Sequence, residues 1–141
     1  MSIHTTTHLN FHGEARAALA FYQSVFGGDL TVSTFGEFPD MGVPDDELGH
    51  VMHGQLTTPG GLTIMAADTP SHMGYEAPSG AAITISLSGD DDAELDRYWA
   101  GLSADGTVVL PFEVAPWGDR FGMLKDRFGV DWMLNAGGMG S

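Results

Sequence analysis

Residues 111–135 read PFEVAPWGDRFGMLKDRFGVDWMLN and decide the fold. Two runs rich in β-branched or aromatic residues, around 108–114 and 129–134, flank a Trp-Gly turn, a short Arg-Phe-Gly-Met strand and an Asp-Arg-Phe-Gly turn. Apolar runs of this length separated by glycine-containing turns are typical of antiparallel strands. The stretch therefore predicts a three-stranded antiparallel meander.

The segment before this meander predicts one strand followed by one helix. Residues 81–88 alternate, so that Ile83, Ile85 and Leu87 share one face of a strand. Three acidic residues at 90–92 are suited to a helix N-terminus, and residues 93–102 then predict the helix itself. We expect this helix to cover the Ile and Leu face, since no other nearby segment is able to bury it.

The first half of the chain repeats this order of elements. Its expected elements are a strand at 5–11, a helix from Ala15 until Gly27-Gly28, a strand at 30–35, and a hairpin of 50–58 with 62–67. The sequence thus predicts an α+β chain with one domain, 1–141, and an internal repeat. The modules span 4–79 and 80–136, and residues 137–141 form a flexible tail. A loop at 36–49, rich in Pro, Gly and acids, is long enough to cover a site.

The charge balance excludes several classes of partner. Among 141 residues, 19 are acidic and only 5 are Lys or Arg, which gives a net charge of −14. Such a chain is poorly suited to bind nucleic acid or an anionic membrane surface. The start carries no basic and apolar leader and no stretch suits a membrane span, so we expect a cytoplasmic protein. The chain has no Cys, which excludes thiolate nucleophiles and sulfur-ligated metals.

Several short motifs, in one order, resemble a known superfamily. They are Leu9-Asn10-Phe11 with Gly13, Ala20-Phe21-Tyr22, Val51-Met52-His53-Gly54, Ile64 to Asp68, and Trp117-Gly118 with Phe121-Gly122, Asp126, Phe128-Gly129 and Trp132. Together they resemble the vicinal oxygen chelate superfamily of glyoxalases, bleomycin-resistance proteins and extradiol dioxygenases, in its PhnB-like (3-demethylubiquinone methyltransferase-like) branch. The resemblance implies two βαβββ modules that form a cup-shaped mixed sheet, the glyoxalase/bleomycin resistance fold, commonly in a homodimer.

The resemblance also implies where a divalent metal would be held. Enzymes of the superfamily use His and Glu from the first and last strand of each module, and strand phase carries these places to Thr6, Met65, Ala82 and Met133. None of the four is a conventional ligand, and a Met thioether is too soft for the hard ions that chelate vicinal oxygens. We therefore expect no cofactor, although a divalent metal held by relocated ligands stays an alternative.

The histidines offer the main candidates for chemistry. His4, His8 and His12 recur at a spacing that would align them on a helix, but the alternation here favours a strand, on which they are too far apart to share zinc. His50 and His53 fall on opposite faces of a strand. His53 matches a motif of the family and is the candidate acid, base or ligand-orienting donor, and the alternative is a His bonded to backbone.

Strand phase selects the other candidate ligand contacts. His8, Asn10, Thr84 and Ser86 fall on strand faces away from the helices and are expected to line a shared concavity. Soft or aromatic side chains form a second set, Met65, Trp117, Phe121, Met123 and Met133. Trp132 alternates with Met133 and is expected in the core instead. Asp68 ends its strand and is expected to form a turn, with contact to a polar ligand group as the alternative.

These observations favour a small-molecule-binding protein without an intact catalytic metal site, such as one that sequesters a compound and confers resistance. One alternative is a metal-dependent lyase, isomerase or dioxygenase with relocated ligands, His8 and His53 with Asp68 or Asp131. A second alternative is an interaction module whose cup is filled with side chains. The sequence identifies neither the ligand nor the dimer mode, and it leaves open whether the protein is an enzyme.

Overall fold

A computed structural model describes residues 7–38, 42–71 and 83–137, and the chain divides into two compact units, Met1–Pro78 and Ser79–Ser141. The elements of the first unit are β1 (Thr7–Phe11), α1 (Ala15–Phe26), β2 (Asp29–Thr34), β3 (Val51–Thr57) and β4 (Thr63–Asp68). Those of the second are β5 (Ile85–Gly89), α2 (Asp92–Ser103), β6 (Thr107–Val114), β7 (Arg120–Lys125) and β8 (Asp131–Ala136). The predicted order of strand, helix and three strands is confirmed in each half.

Each unit contains one four-stranded mixed sheet with the same topology. The strand orders are β1-β4-β3-β2 and β5-β8-β7-β6. In both sheets the first strand pairs in parallel with the last strand of its unit, and the other pairs are antiparallel. The predicted meander and the predicted hairpin are therefore confirmed.

Helix α1 packs on one face of the first sheet because its apolar residues recur at helical spacing. Ala15, Ala18, Leu19 and Tyr22 have no exposed surface. The sheet offers Ile64, Ala66 and Leu56, which are also buried. Leu19 packs directly over Gly54, where a Cβ atom would collide with its Cδ1. Gly27 ends the helix with φ of 74°, a conformation that glycine adopts without steric cost.

The pairing of β2 with β3 contains a β-bulge, which shifts the register between Ser33 and Thr34. Val51 and Gly54 are three residues apart, yet both are buried on the helix side. An extra residue in one strand produces this break in alternation.

The second unit buries a tryptophan under its helix. Trp132 is 1% exposed, and its indole N–H donates to Asp126 Oδ2 at 2.9 Å. Leu134 is fully buried, and Leu87 on the neighbouring β5 is nearly so. The Trp99 ring of α2 stacks on Phe112 of β6, with 5.4 Å between ring centroids. The prediction that Trp132 belongs to the core is confirmed.

Some predicted boundaries are wrong. Phe35 does not end β2 but is the buried first residue of a 3-10 turn, Phe35–Glu37. Ile83 precedes β5 and is 79% exposed, so α2 does not cover it. Gly137, the first residue of the predicted tail, donates its N–H to the Gly89 carbonyl at 2.8 Å. The rest of the predicted tail, 138–141, lies outside the described residues.

Within the described part of the chain, neither α1 nor α2 is long and apolar enough to cross a membrane.

Candidate ligand-binding faces

Each sheet has one face against its helix and one face opposite it, and we call the opposite one the far face. In the first unit strand pairing aligns His8 with Met65, Met65 with Gln55, and Gln55 with Thr31. The next row holds Asn10 beside Ala67, and His53 beside Ser33. The first far face therefore consists of His8, Asn10, Asp29, Thr31, Ser33, His53, Gln55, Thr57, Thr63, Met65 and Ala67.

The first far face brings four of the predicted site residues together within one sheet. His8 and Asn10 are exposed, and His53 and Met65 are half-buried. Neighbouring strands lie about 4.8 Å apart, so side chains in one row are within reach of a single small molecule. Apart from Met65 and Ala67, every member carries a hydrogen-bonding group.

The far face of the second unit is more apolar. Pairing aligns Ser86 with Met133, Met133 with Met123, and Met123 with Leu110. Phe121 pairs with Asn135 on the same face, and its ring meets Trp117 edge to face at 5.5 Å. The second far face therefore consists of Ser86, Ser88, Thr107, Leu110, Glu113, Phe121, Met123, Lys125, Asp131, Met133 and Asn135, with Trp117 beside it.

Thr84, another candidate from the sequence, precedes β5 instead of lying in it. It is half-buried, and only its spacing of two residues from Ser86 assigns it to the same face. How the candidates of the two units are placed relative to one another stays a prediction.

The far faces hold two of the four positions to which the resemblance to the superfamily assigned metal ligands. Met65 and Met133 both lie on far faces, as strand phase predicted. Thioether sulfur does not suit hard divalent ions, so these residues do not fit the implied metal. Among residues 7–38, 42–71 and 83–137, no three His, Asp or Glu side chains are grouped to hold an ion. Thr6 and Ala82 lie outside the described residues.

The structure places the described histidines in different parts of the first unit. His8 lies in strand β1, so a helical alignment with His12 is wrong. His50 precedes β3, and its ring packs against Gly13, where an added Cβ would lie 3.3 Å from it. His53 lies on the far face instead, and β4 separates it from His8.

Asp68 makes long-range hydrogen bonds instead of forming a local turn. Its carboxylate accepts N–H groups from Gly13 at 2.6 Å, Ala15 at 3.0 Å and Val51 at 2.9 Å, and the residue is 3% exposed. These bonds place it on the helix side of the sheet, where it replaces a side-chain cap at the start of α1. Asp68 is therefore not available to join His8 and His53 at a metal.

Charge pairs across α2 and β7 shift two pKa values. A hydrogen bond from Arg120 lowers the pKa of Asp96, against a smaller opposing effect of burial. The same bond raises the pKa of Arg120. The Arg120 guanidinium also lies over the Phe112 ring, 4.2 Å from its centroid. This arrangement holds Arg120 on the helix side, away from the second far face.

Sequence reasoning missed several polar members of the far faces. Gln55, Thr31 and Ser33 follow from strand phase, but their place beside Met65 and His53 depends on the pairing register. Asn135 Nδ2 donates to Asp119 Oδ2 at 3.2 Å. Asp119 lies 16 residues away, so no local pattern predicts this bond.

Comparisons with known proteins agree with this architecture. A family model described as 3-demethylubiquinone-9 3-methyltransferase matches residues 3–135. Protein YjdN of Escherichia coli (strain K12) is 29% identical over 146 residues, which cover 92% of this chain and 92% of that protein.

Solved structures give the same result. Protein PA1353 from Pseudomonas aeruginosa is 33% identical, has a TM-score of 0.78, and is matched over 96% of this chain and 98% of that chain. The PhnB protein from Bacillus cereus is 28% identical, with a TM-score of 0.75 over 96% of this chain and 100% of its own. A glyoxylase/bleomycin resistance protein/dioxygenase domain from Frankia sp. EAN1pec, at 16% identity and a TM-score of 0.67 over 100% of this chain and 96% of that domain, shares the fold.

Proposed function

The chain belongs to the 3-demethylubiquinone-9 3-methyltransferase family, a PhnB-like family with the glyoxalase/bleomycin resistance fold, and on that premise we propose that it binds a small, largely apolar molecule without a tightly held catalytic metal. A fold alone does not decide function, so the proposal depends on the side chains of the far faces.

The cluster of soft and aromatic side chains on the second far face is the observation that supports ligand binding. Met123 and Met133 pair across β7 and β8, and Phe121 follows on the same face with Trp117 at its edge. Methionine adapts its shape to apolar ligands, and aromatic rings provide large contact areas. Met123, Met133 and Phe121 are all half-buried, so part of each remains accessible. We assign this cluster as the main ligand surface.

The first far face, considered by itself, is a candidate surface for a ligand with polar groups. His8, Asn10 and His53 carry donors and acceptors there, and Gln55 lies in the adjacent row. His53 is our candidate for proton transfer if a reaction takes place, because an imidazole is both a donor and an acceptor.

Chemical-shift mapping tests the ligand surface. Isotope-labelled protein is titrated with indole, a small neutral aromatic probe, and backbone shifts are expected to change at Phe121, Met123 and Met133. Phe121→Ala and Met133→Ala should each weaken binding several-fold. Val114→Ala is the matched control, because Val114 pairs with Arg120 on the other side of β6 and is 72% exposed. Indole shifts confined to residues off the far faces would refute this proposal.

The soft donors at Met65 and Met133 support the absence of a tightly held metal. Elemental analysis of protein purified without chelator should find zinc, nickel, manganese and iron well below one ion per chain. The competing function, a metal enzyme with relocated ligands, has in its favour that His8 and His53 share one far face. It predicts a stoichiometric metal that His8→Ala and His53→Ala both remove.

We also propose that the protein is a homodimer, as resemblance to the superfamily implies. Light scattering coupled to size exclusion should give a mass near twice that of the 14.9 kDa chain. A monomeric mass over a range of protein concentrations would contradict the dimer and leave the ligand proposal unchanged.

A further inference from the structure

The placement of positive charge limits the class of ligand. Only five residues of the chain are Lys or Arg, and all five lie within the described residues. They are Arg16, Arg97, Arg120, Lys125 and Arg127. The positions of these five side chains therefore account for every permanent side-chain cation in the protein.

Four of the five cations lie away from the far faces. Arg16 lies on α1, and Arg97 lies on α2 beside Glu94. Arg120 contacts Asp96 at 2.5 Å and Asp92 at 3.4 Å on the helix side of the second sheet. Arg127 bonds to the Ala104 carbonyl and pairs with Asp105, in a turn beyond the strands.

Lys125 is the one permanent cation on a far face, and it is already neutralised. Its Nζ lies 3.1 Å from Asp131 Oδ1, and the two residues are direct partners across β7 and β8. The Asp131 side chain is only 13% exposed, so the pair is partly shielded from water. A ligand anion would have to compete with Asp131 for this ammonium group.

The first far face carries hydrogen-bonding groups and no Lys or Arg. It also holds an acidic residue, because Asp29 begins β2 and pairs with Thr57 on the same face. A carboxylate or phosphonate that loses water there gains no permanent cation, and such burial is costly. The net charge of −14 adds a repulsive field around the whole molecule.

Resting on the proposed function, we infer that the ligand carries no net negative charge and is a neutral or cationic molecule with an aromatic or aliphatic body. The rings of Trp117 and Phe121, beside Met123 and Met133, contact the apolar body. Electron-rich ring faces also attract an alkylammonium group.

A matched set of three indoles tests the inference. Tryptamine, tryptophol and indole-3-acetate share one ring and differ in an ammonium, a hydroxyl and a carboxylate group. Titrations at about pH 8, where imidazole is neutral, and at low ionic strength should rank the affinities as tryptamine, then tryptophol, then indole-3-acetate. Added salt should reduce the differences, because it screens charge.

Two variants at the Lys125–Asp131 pair provide crossed controls. Asp131→Asn releases the ammonium group and should strengthen indole-3-acetate binding about fourfold, the effect of one unit charge about 5 Å away in a water-like dielectric. Lys125→Gln should strengthen tryptamine binding by a similar factor and weaken indole-3-acetate binding. Circular dichroism verifies that each variant is folded. If a variant does not fold, the ranking of the three probes on the unaltered chain still tests the inference.

Two results would overturn the inference in distinguishable ways. If indole-3-acetate binds the second far face as tightly as tryptamine at low salt, the charge preference is wrong while ligand binding stands. If none of the three probes shifts far-face resonances, the proposed function fails and the charge preference fails with it.

Discussion

Asp68 shows how one buried carboxylate joins three parts of the first unit. It accepts backbone N–H groups from Gly13, Ala15 and Val51. Asp68→Ala would leave these donors without an acceptor in a site that is 3% exposed. An unsatisfied buried donor costs about 1–3 kcal/mol, so we expect a loss of roughly 3 kcal/mol or more in the free energy of unfolding.

Urea denaturation followed by circular dichroism measures this loss. Asp68→Asn keeps one carbonyl oxygen as an acceptor and should lose less than Asp68→Ala. Asp46→Ala, at an exposed position in the 3-10 turn Asp45–Glu47, is the control and should change stability by under about 0.5 kcal/mol. Equal stabilities of the Asp68→Ala and Asp46→Ala variants would show that the three bonds contribute nothing.

Single residues differ in how far the sequence predicts them. Strand alternation has a period of two, so it placed His53 and Met133 on far faces without any knowledge of partners. Asp68 was mispredicted because its partners lie 17, 53 and 55 residues away. Alternation reports the face of a side chain, whereas a buried hydrogen-bond partner depends on tertiary register.

The contact between α1 and β3 depends on a residue without a side chain. Leu19 lies over Gly54, so Gly54→Ala should force the helix or the leucine to move and cost about 1–3 kcal/mol. Gly89→Ala is the matched control, because Gly89 also lies in a strand and an added Cβ there meets nothing within 4 Å. Thermal unfolding of both variants measures the difference. A Gly54→Ala variant as stable as the Gly89→Ala variant would contradict this packing.

The Arg120–Asp96 contact between β7 and α2 should make stability depend on pH. The pKa of Asp96 is lowered from its ordinary value of 3.8, so its carboxylate stabilises the fold above that value and stops doing so as pH falls through the folded pKa. Asp96→Asn should therefore lower Tm slightly at neutral pH. The difference from the unaltered chain should vanish well below pH 3.8.

Melting curves recorded from acid to neutral pH check the expected convergence. Both side chains are partly exposed, so the effect is small and screened by salt. Asp46→Asn, which has an exposed carboxyl group in the first unit, should follow the unaltered chain at every pH. A constant gap between the Asp96→Asn variant and the unaltered chain down to acid pH would exclude this pair as its cause.

Whole elements were predicted more securely than their ends. Helix α1 was predicted with its observed start and end, because Ala15 to Phe26 has a clear apolar period and Gly27 follows. Strand β5 was predicted to begin at residue 81, but it begins at Ile85. Ile83 precedes the strand and is exposed. The local apolar pattern begins before the first residue that pairs with β8, which is Ile85 opposite Trp132, and only the pairing fixes the boundary.

In the whole molecule, the two units repeat not only the order of elements but also particular side-chain hydrogen bonds and residue positions. Each unit uses one buried aspartate to hold backbone N–H groups: Asp68 in the first, and Asp126, which accepts from Phe128 and Val130, in the second. Each unit also has Met at the far-face position on its last strand, Met65 and Met133. The order of elements was readable from the sequence, whereas the shared use of aspartate depends on loops that differ between the halves.

The net charge of −14 should make the stability of the whole chain depend on salt. Compaction brings like charges together, and salt screens their repulsion with a Debye length of about 10 Å at 0.1 M. Raising NaCl from about 10 mM to about 150 mM should therefore raise Tm by roughly 2–5 °C, since about 1 kcal/mol shifts Tm by that much at this chain length. Asp45→Asn/Asp46→Asn removes two exposed charges and should reduce the increment. A Tm that falls with salt would show that attractive pairs such as Lys125–Asp131 outweigh the net repulsion.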